Sequence, residues 1–401
     1  MNRASMLRLA ALVIIGLGSA LLIAALLLST YTVGKIEKIP LNIDQTLVAS
    51  GTGTALDPAS LSAGPGARFV VDQNVPLVSQ QAETVETPAN AEVVTLQVGT
   101  TVRRTDKQKD NGLLLAMVDT VTLNRTTAEA VSDEDRPGGS VQKPRTIEDD
   151  QPPTNIALPH DGLSYRFPFN TEKKSYPYFD PIAQKAFDAN YDGEDDVNGL
   201  TTYRFTQNVG YDADGKLVEP IKYASLYDKD EDGEVTVRAE LWGIEDVDPF
   251  EPITMTRYYA AQRTFWVDPV SGTIVKAEEH ANHYYARDPL KPEMAVADYK
   301  VTSTEQTIES QVAAARAERD RVALWSRILP ISLAAAGVVA LVGATLLGVF
   351  SVRVESVLAE PGEDDIDIGL FGKDETGPMP AAQAPTEKIP TRRPESPPTQ
   401  K

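Results

Sequence analysis

Two long uncharged apolar stretches, residues 9–34 and 328–352, bracket this chain and constrain everything between them. Each exceeds the ~20 residues that a helix needs to cross a bilayer. The intervening segment is rich in alternating, strand-like sequence, so the expected architecture is a large domain tied to one membrane face by both ends.

Arg3 and Arg8 precede the first stretch, which carries no charge until Lys35. A cleaved signal has a shorter apolar region, ~7–15 residues, and then a small-residue cleavage site. The longer run predicts an uncleaved anchor. Arg3 and Arg8 favour a cytoplasmic N-terminus, whereas Arg319, Arg321 and Arg327 before the second stretch, against Arg353 behind it, vote the other way. The first helix usually dominates, and long domains translocate largely regardless of charge. The expected topology is two-pass, with both termini cytoplasmic and the large domain outside the plasma membrane. Tyr31 and Trp325 then sit at the outer interface, where amphipathic rings anchor well. Small residues recur every fourth position, Gly16, Ala20 and Ala24 in one anchor and Ala336, Ala340, Ala344 and Gly348 in the other. That spacing lets helix backbones approach closely in lipid, and predicts a packed pair.

Composition excludes several functions. With 58 Asp+Glu against 38 Lys+Arg the net charge is -20, which repels nucleic acid and anionic lipid surfaces alike. Cysteine is absent, so disulfides, thiolate metal sites and cysteine nucleophiles are impossible.

Strand patterns cover residues 68–79, 92–104, 113–127, 164–169, 200–209, 216–227, 234–241, 253–267, 273–287 and 294–302. Several are separated by hairpin punctuation such as Asp214-Gly215, Asp232-Gly233 and Ser271-Gly272. Residues 51–66 read as a loop, and 128–159 as a long polar excursion. Asp180-Pro181 suggests the start of a short helix reaching residue 189. At Ser303 and Gln306 a capping box opens a helix over 308–326, with a kink expected at Pro330. The predicted fold is mainly β, an antiparallel sheet or barrel-like extracytoplasmic domain with flanking helices, between N- and C-terminal transmembrane helices. The segments are a cytoplasmic terminus at 1–8, a membrane helix at 9–31, the β domain at 32–302, a helical stalk at 303–327, a second membrane helix at 328–352 and a disordered cytoplasmic tail at 353–401.

Asp228, Asp230 and Asp232, followed by Gly233, copy the first half of a calcium loop. The closing glutamate is missing at its proper position, where Ala239 stands, and the flanks read as strands. An acidic turn joining two strands is therefore the preferred reading, with calcium binding by a non-EF loop as the alternative, and the cluster at 192–196 has the same plain explanation. His280 and His283 resemble half a zinc site, but residues three apart on a strand point to opposite faces. The third histidine, His160, stands alone. No nucleophile elbow, phosphate loop or zinc-protease motif is present, so no catalytic residue is nominated. Aromatic residues are concentrated instead. Tyr165, Phe167, Phe169 and Tyr178 fall in one region, Phe265 and Trp266 in another. They make either an ordinary β core or the lining of an apolar pocket that takes lipid chains.

The segments at 162–169, 176–180, 199–205 and 265–272, with the two flanking helices, resemble an actinobacterial envelope family named porin PorA. The similarity runs to about Arg353. That family includes a mycobacterial protein implicated in making lipomannan and lipoarabinomannan. The resemblance therefore implies a periplasmic role in handling lipid-linked glycan, with a phospholipid or phosphatidylinositol mannoside as partner. The layout is also similar to class B scavenger receptors, whose ectodomains hold a lipid tunnel. Three function classes stay open: a non-enzymatic lipid- or lipoglycan-handling protein, a scaffold for membrane glycosyltransferases, and a porin-like channel. An apolar cavity would separate the first from the second.

Overall fold

The computed structural model describes residues 3–61, 68–108, 112–132, 138–143, 154–223 and 232–358. Two apolar helices, α1 (Arg3–Leu27) and α6 (Leu329–Leu358), pack side by side, and each belongs to a helical span long and apolar enough to cross a membrane. Two glycines bring their backbones close together. A Cβ on Gly18 would stand 3.0 Å from the Gly337 carbonyl oxygen, and one on Gly337 would stand 2.9 Å from that of Gly18. The expected pair exists: a Cβ on Gly18 would stand 3.2 Å from that of Ala340, and Ala344 is buried, whereas Gly16 and Gly348 meet nothing within 4 Å. Gly18 and Gly337 permit the backbone proximity that holds apolar helices together where there is no water to drive their association.

After α1 the chain makes one π-helical turn, Leu28–Thr32, and a short α2 (Val33–Ile36). A matching π turn, Leu324–Ile328, precedes α6, and the two turns touch. The latter lies just ahead of Pro330, whose ring crowds the preceding turn and whose nitrogen carries no hydrogen, so the ladder is rearranged there.

Between the helices lies one antiparallel sheet. Its first half comprises β1 (Asp44–Leu56), β2 (Val71–Ala89), β3 (Val93–Arg104), β4 (Leu113–Asn124), β5 (Gly139–Lys143) and β6 (Thr154–Ala157). The other half adds β7 (Tyr176–Asp180), β8 (Lys185–Val197), β9 (Leu200–Val209), β10 (Ile221–Lys222), β11 (Glu234–Arg238), β12 (Pro252–Val267), β13 (Ile274–Ala286) and β14 (Met294–Ser303). Single helical turns α3 (Pro58–Leu61) and α4 (Ala239–Trp242) decorate the loops. The spatial order is β6-β5-β4-β3-β2-β1-β14-β13-β12-β9-β8-β7, with β10 and β11 also pairing with β12. The chain's first and last strands meet mid-sheet, Gly51 opposite Val301. The sheet is not closed, yet isolated bridges Leu123–Ala130, Glu129–Leu163 and Leu163–Tyr178 lead from β4 across to β7. It therefore curls around an interior.

Alternation sorts the two faces. On β13 and β14, Ala281, Tyr299 and Val301 join the core, while His280 meets Asp298 at 2.9 Å on the opposite face. An outer surface carrying such charged pairs is built for water and not for lipid. His283 lies inward and buried, so the two histidines do occupy opposite faces.

Several local expectations differ from the structure. Residues 51–56 belong to β1, where Gly51 serves a close approach: a Cβ there would lie 1.8 Å from the Lys300 carbonyl oxygen. Residues 164–169 are not a strand, because Tyr165 takes a positive φ of 62° that breaks the alternation. Pro181 opens the turn that joins β7 to β8 instead of a helix, with the Asp180 carboxylate accepting from the Ile182 and Ala183 amides at 2.8 and 2.9 Å. The stalk helix α5 (Glu305–Ala323) is capped by Thr304, whose Oγ1 accepts from the Thr307 amide, while the Ser303 hydroxyl is drawn to Ala277 of β13. Helix α5 lies on the sheet through Ile308, Val312 and Ala315, which pack with Trp266 and Val275. Asp228 and Asp230 of the acidic motif, parts of 128–159 and the tail beyond 358 lie outside the described residues. Among the described residues no group of three or more carboxylates and histidines is arranged to hold a metal.

Candidate functional site

The curled sheet contains two apolar layers with a polar belt and a cavity between them. Nearest the two apolar helices, Ile39 soon after α2 packs with Val94, Leu96, Phe167, Phe205 and Phe265. Aromatic contacts knit this floor, with ring centroids 4.7 Å apart for Phe167–Phe205 and 4.8 Å for Tyr178–Phe265. The far layer holds Val75, Leu77, Val102, Tyr259, Tyr299 and Val301.

The cavity has a volume of about 190 Å³ and opens to solvent. Its wall is mixed. Ala49, Val102, Met117 and Phe265 give apolar surface, whereas Gln81, His160, Tyr165, Arg263 and Glu279 give polar groups. Of the aromatics nominated from sequence, Tyr165, Tyr178 and Phe265 line this cavity. Phe167 lies under it in the floor, and Phe169 is buried outside the lining. Trp266 faces the other way, beneath α5, with its Nε1 donating to Asp195 at 2.8 Å and Lys276 4.0 Å from its ring centroid. Successive residues of a strand point to opposite faces, so Phe265 and Trp266 cannot share a lining.

Two polar clusters face the interior. In the first, Arg263 on β12 donates to Asp180 at 2.5 Å and to Glu279 at 2.7 Å. Tyr259 also donates to Asp180, at 2.8 Å, and accepts from Arg263 at 2.7 Å. Burial would push the Asp180 carboxyl up, but the adjacent guanidinium outweighs it and holds the group below the ordinary carboxylate range. The guanidinium shows the converse, with burial opposing its charge and Asp180 more than restoring it.

The other cluster gathers Asp119 of β4 and the segment after β6. Asp119 Oδ1 lies 3.1 Å from His160 Nε2, and its Oδ2 accepts from the Tyr165 hydroxyl at 2.5 Å. His160 Nδ1 stands 2.9 Å from Ser164 Oγ, and the imidazole stacks on Phe179 with centroids 3.9 Å apart. Glycines make room for this segment. A Cβ on Gly139 would sit 2.6 Å from His160 Cδ2, and one on Gly162 (φ 75°) would sit 2.4 Å from the Pro177 carbonyl oxygen. Glu83 on β2 is buried beside these groups and accepts from Gln45 and Gln81, each at 2.7 Å. Burial raises its pKa, despite those amides and the more distant charge of Arg166.

The sequence had pointed to the aromatics and missed this belt. One signal was available: Asp119 is a lone acid in the otherwise apolar run of β4, at an inward position of a strand pattern. Glu83 gave none, since β2 is polar on both faces.

Residues 10–346 match the family described as Porin PorA. A protein of Corynebacterium amycolatum named Porin PorA is 30% identical over 317 residues, spanning 71% of this chain and 79% of the relative. Another Porin PorA, from Corynebacterium resistens, is 30% identical over 332 residues, spanning 68% of this chain and 76% of its own.

Proposed function

The chain belongs to the porin PorA family, and from that premise and the lined cavity we propose an envelope protein that binds an amphiphile inside its β domain. The domain stands at the outer face of the plasma membrane, and the bound molecule is a two-chain phospholipid or a lipid-linked glycan such as a phosphatidylinositol mannoside. Handling of that molecule serves lipoglycan synthesis or transport. The observation that carries this reading is the mixed cavity, with aromatic and aliphatic wall for acyl chains and the Arg263 and Asp119 clusters for a headgroup or sugar. A scaffold would need no such space. Burial of acyl chain contributes about 0.8 kcal/mol per methylene, so a short inserted length supplies useful affinity. The helix pair keeps the domain against the bilayer, which shortens the path a lipid must take through water.

The relatives' name supports a different reading, a channel, and so does the polar belt. Against it, the aromatic floor fills the interior at the end nearest the helices, and two helices enclose no pore without oligomerising.

Titration of the full chain in detergent with a fluorescent phospholipid tests the amphiphile reading. Saturable binding is expected, with affinity falling at least about tenfold in Thr100→Trp, which fills the cavity wall. Absence of saturable binding by the parent chain, together with conductance in planar bilayers, would favour the channel.

A further inference from the structure

Asp119, His160 and Ser164 are brought together by the fold and by no sequence motif, since Asp119 lies 41 positions before His160. The order of contacts is directional. The carboxylate at His160 Nε2 places the ring proton on that nitrogen, which leaves the Nδ1 lone pair facing the Ser164 hydroxyl. A serine hydroxyl hydrogen-bonded to an imidazole whose far nitrogen is held by a carboxylate is the arrangement that makes serine a nucleophile.

Three further features distinguish this cluster from a buried structural network. His160, Ser164, Tyr165 and Tyr178 all line the cavity, so a ligand there reaches the serine. The Asp119 carboxylate is fixed on its other oxygen by Tyr165, and the imidazole plane by Phe179, so the base is rigidly oriented. The residue after Ser164 carries the strained φ of 62°, and its amide donates to Tyr178 Oη at 3.0 Å. That contact puts the Tyr178 hydroxyl one peptide from the serine, where its own proton can be given to a developing oxyanion.

We propose that Ser164, His160 and Asp119 form an acyl-transfer site on the cavity wall, acting on carboxylic esters with an apolar acyl chain. The proposal rests on the amphiphile-binding reading for its substrate class. Ser164 Oγ bonds to the ester carbonyl carbon while its proton passes to His160 Nδ1, and the carbonyl electron pair moves onto oxygen beside Tyr178. Collapse breaks the bond to the alcohol, whose oxygen takes the proton from His160. Water, or the hydroxyl of an acceptor, then bonds to the acyl carbon and gives its proton to His160. Ser164 leaves with that proton. No oxidant or reductant is needed, and the products are an acid or a new ester plus the first alcohol. Asp119 is a positioning residue throughout.

The test uses the full chain in detergent, a long-chain alkyl fluorophosphonate and p-nitrophenyl octanoate. The expected result is a phosphonyl adduct mapped to Ser164 of the parent chain, and ester hydrolysis that disappears in Ser164→Ala. His160→Gln should lower the hydrolysis rate by about 10²–10⁴-fold, and Tyr178→Phe by about 10²-fold. Adduct mapping on the parent chain needs no variant to fold. A folded parent chain without adduct at Ser164, or hydrolysis that persists in a folded Ser164→Ala, would overturn the proposal. Phospholipid binding is measured on the same samples: binding without adduct removes the chemistry alone. An adduct without binding supports the acyl-transfer site, acting on soluble esters, and removes the amphiphile reading.

Discussion

Glu83 is a carboxyl buried against two amides, with no cation among its hydrogen-bond partners in the described residues. Its folded pKa is raised above 4.5, so the folded chain holds a proton that the unfolded chain has released, and stability is lost as pH rises beyond that value. Glu83→Gln is expected to raise the melting temperature at about pH 8 and leave it unchanged at about pH 4. Equal melting temperatures at both pH values would contradict this. His283 gives the opposite slope. Its ring lies between Tyr223 and Tyr259, both nitrogens lack hydrogen-bond partners among the described residues, and burial, aided by Arg257, pushes its pKa from 6.5 down to about 3. The unfolded chain binds a proton over that interval and the folded chain does not, so stability falls as pH drops from 6.5 towards 3. Each pKa unit of difference is worth about 1.4 kcal/mol. His283→Phe should flatten the acid side of the stability profile, and an unchanged profile would show the ring is not the cause. Such groups are poorly legible in sequence. An inward acid or histidine on a strand resembles an outward one unless the register is known, and only the apolar neighbours of Asp119 marked its position.

At the scale of elements, α5 couples the sheet to the apolar helix α6. Arg166 donates to Glu318 at 3.0 Å and to Thr273 at 2.7 Å, and Arg319 comes within 3.1 Å of Asp268. Both partners of the Arg166–Glu318 pair are largely buried. Glu318→Ala would leave a buried guanidinium with one neutral partner and should cost about 3 kcal/mol. Loss of the Thr304 cap in Thr304→Ala should cost about 1 kcal/mol. Chemical denaturation of the two variants measures both, and a larger loss from the cap than from the ion pair would reverse this ranking. Strands with one clean apolar face, β3, β9, β12, β13 and β14, were readable from alternation alone. β1 and β8 were not, because the glycines of β1 and the acids at 192–196 of β8 have the composition of loops. Asp192 and Asp195 are spent on Arg204, at 3.0 and 2.7 Å. The aromatic run at 164–169 misled for a different reason. Its period of two is real, but the positive φ of Tyr165 turns the segment into a connector that carries Ser164 to the cavity.

At the scale of the molecule, the apolar helices and the β domain between them were legible because hydrophobic length and alternation are strong signals. The cavity was not, since space between side chains depends on how far the sheet curls. The proposed two-pass topology predicts that a reporter active only in the cytoplasm works when fused after Lys401 and is silent when inserted near Gly138. The reverse pattern would place the domain, and its cavity, on the wrong side for an envelope lipid. Whether the interior holds an amphiphile is read most simply by native mass spectrometry of the full chain released from lipid nanodiscs. A retained two-chain phospholipid or glycolipid is expected on the parent chain and absent from Thr100→Trp. A folded parent chain that emerges at its bare mass, across nanodiscs of several lipid compositions, would contradict lipid binding in the cavity.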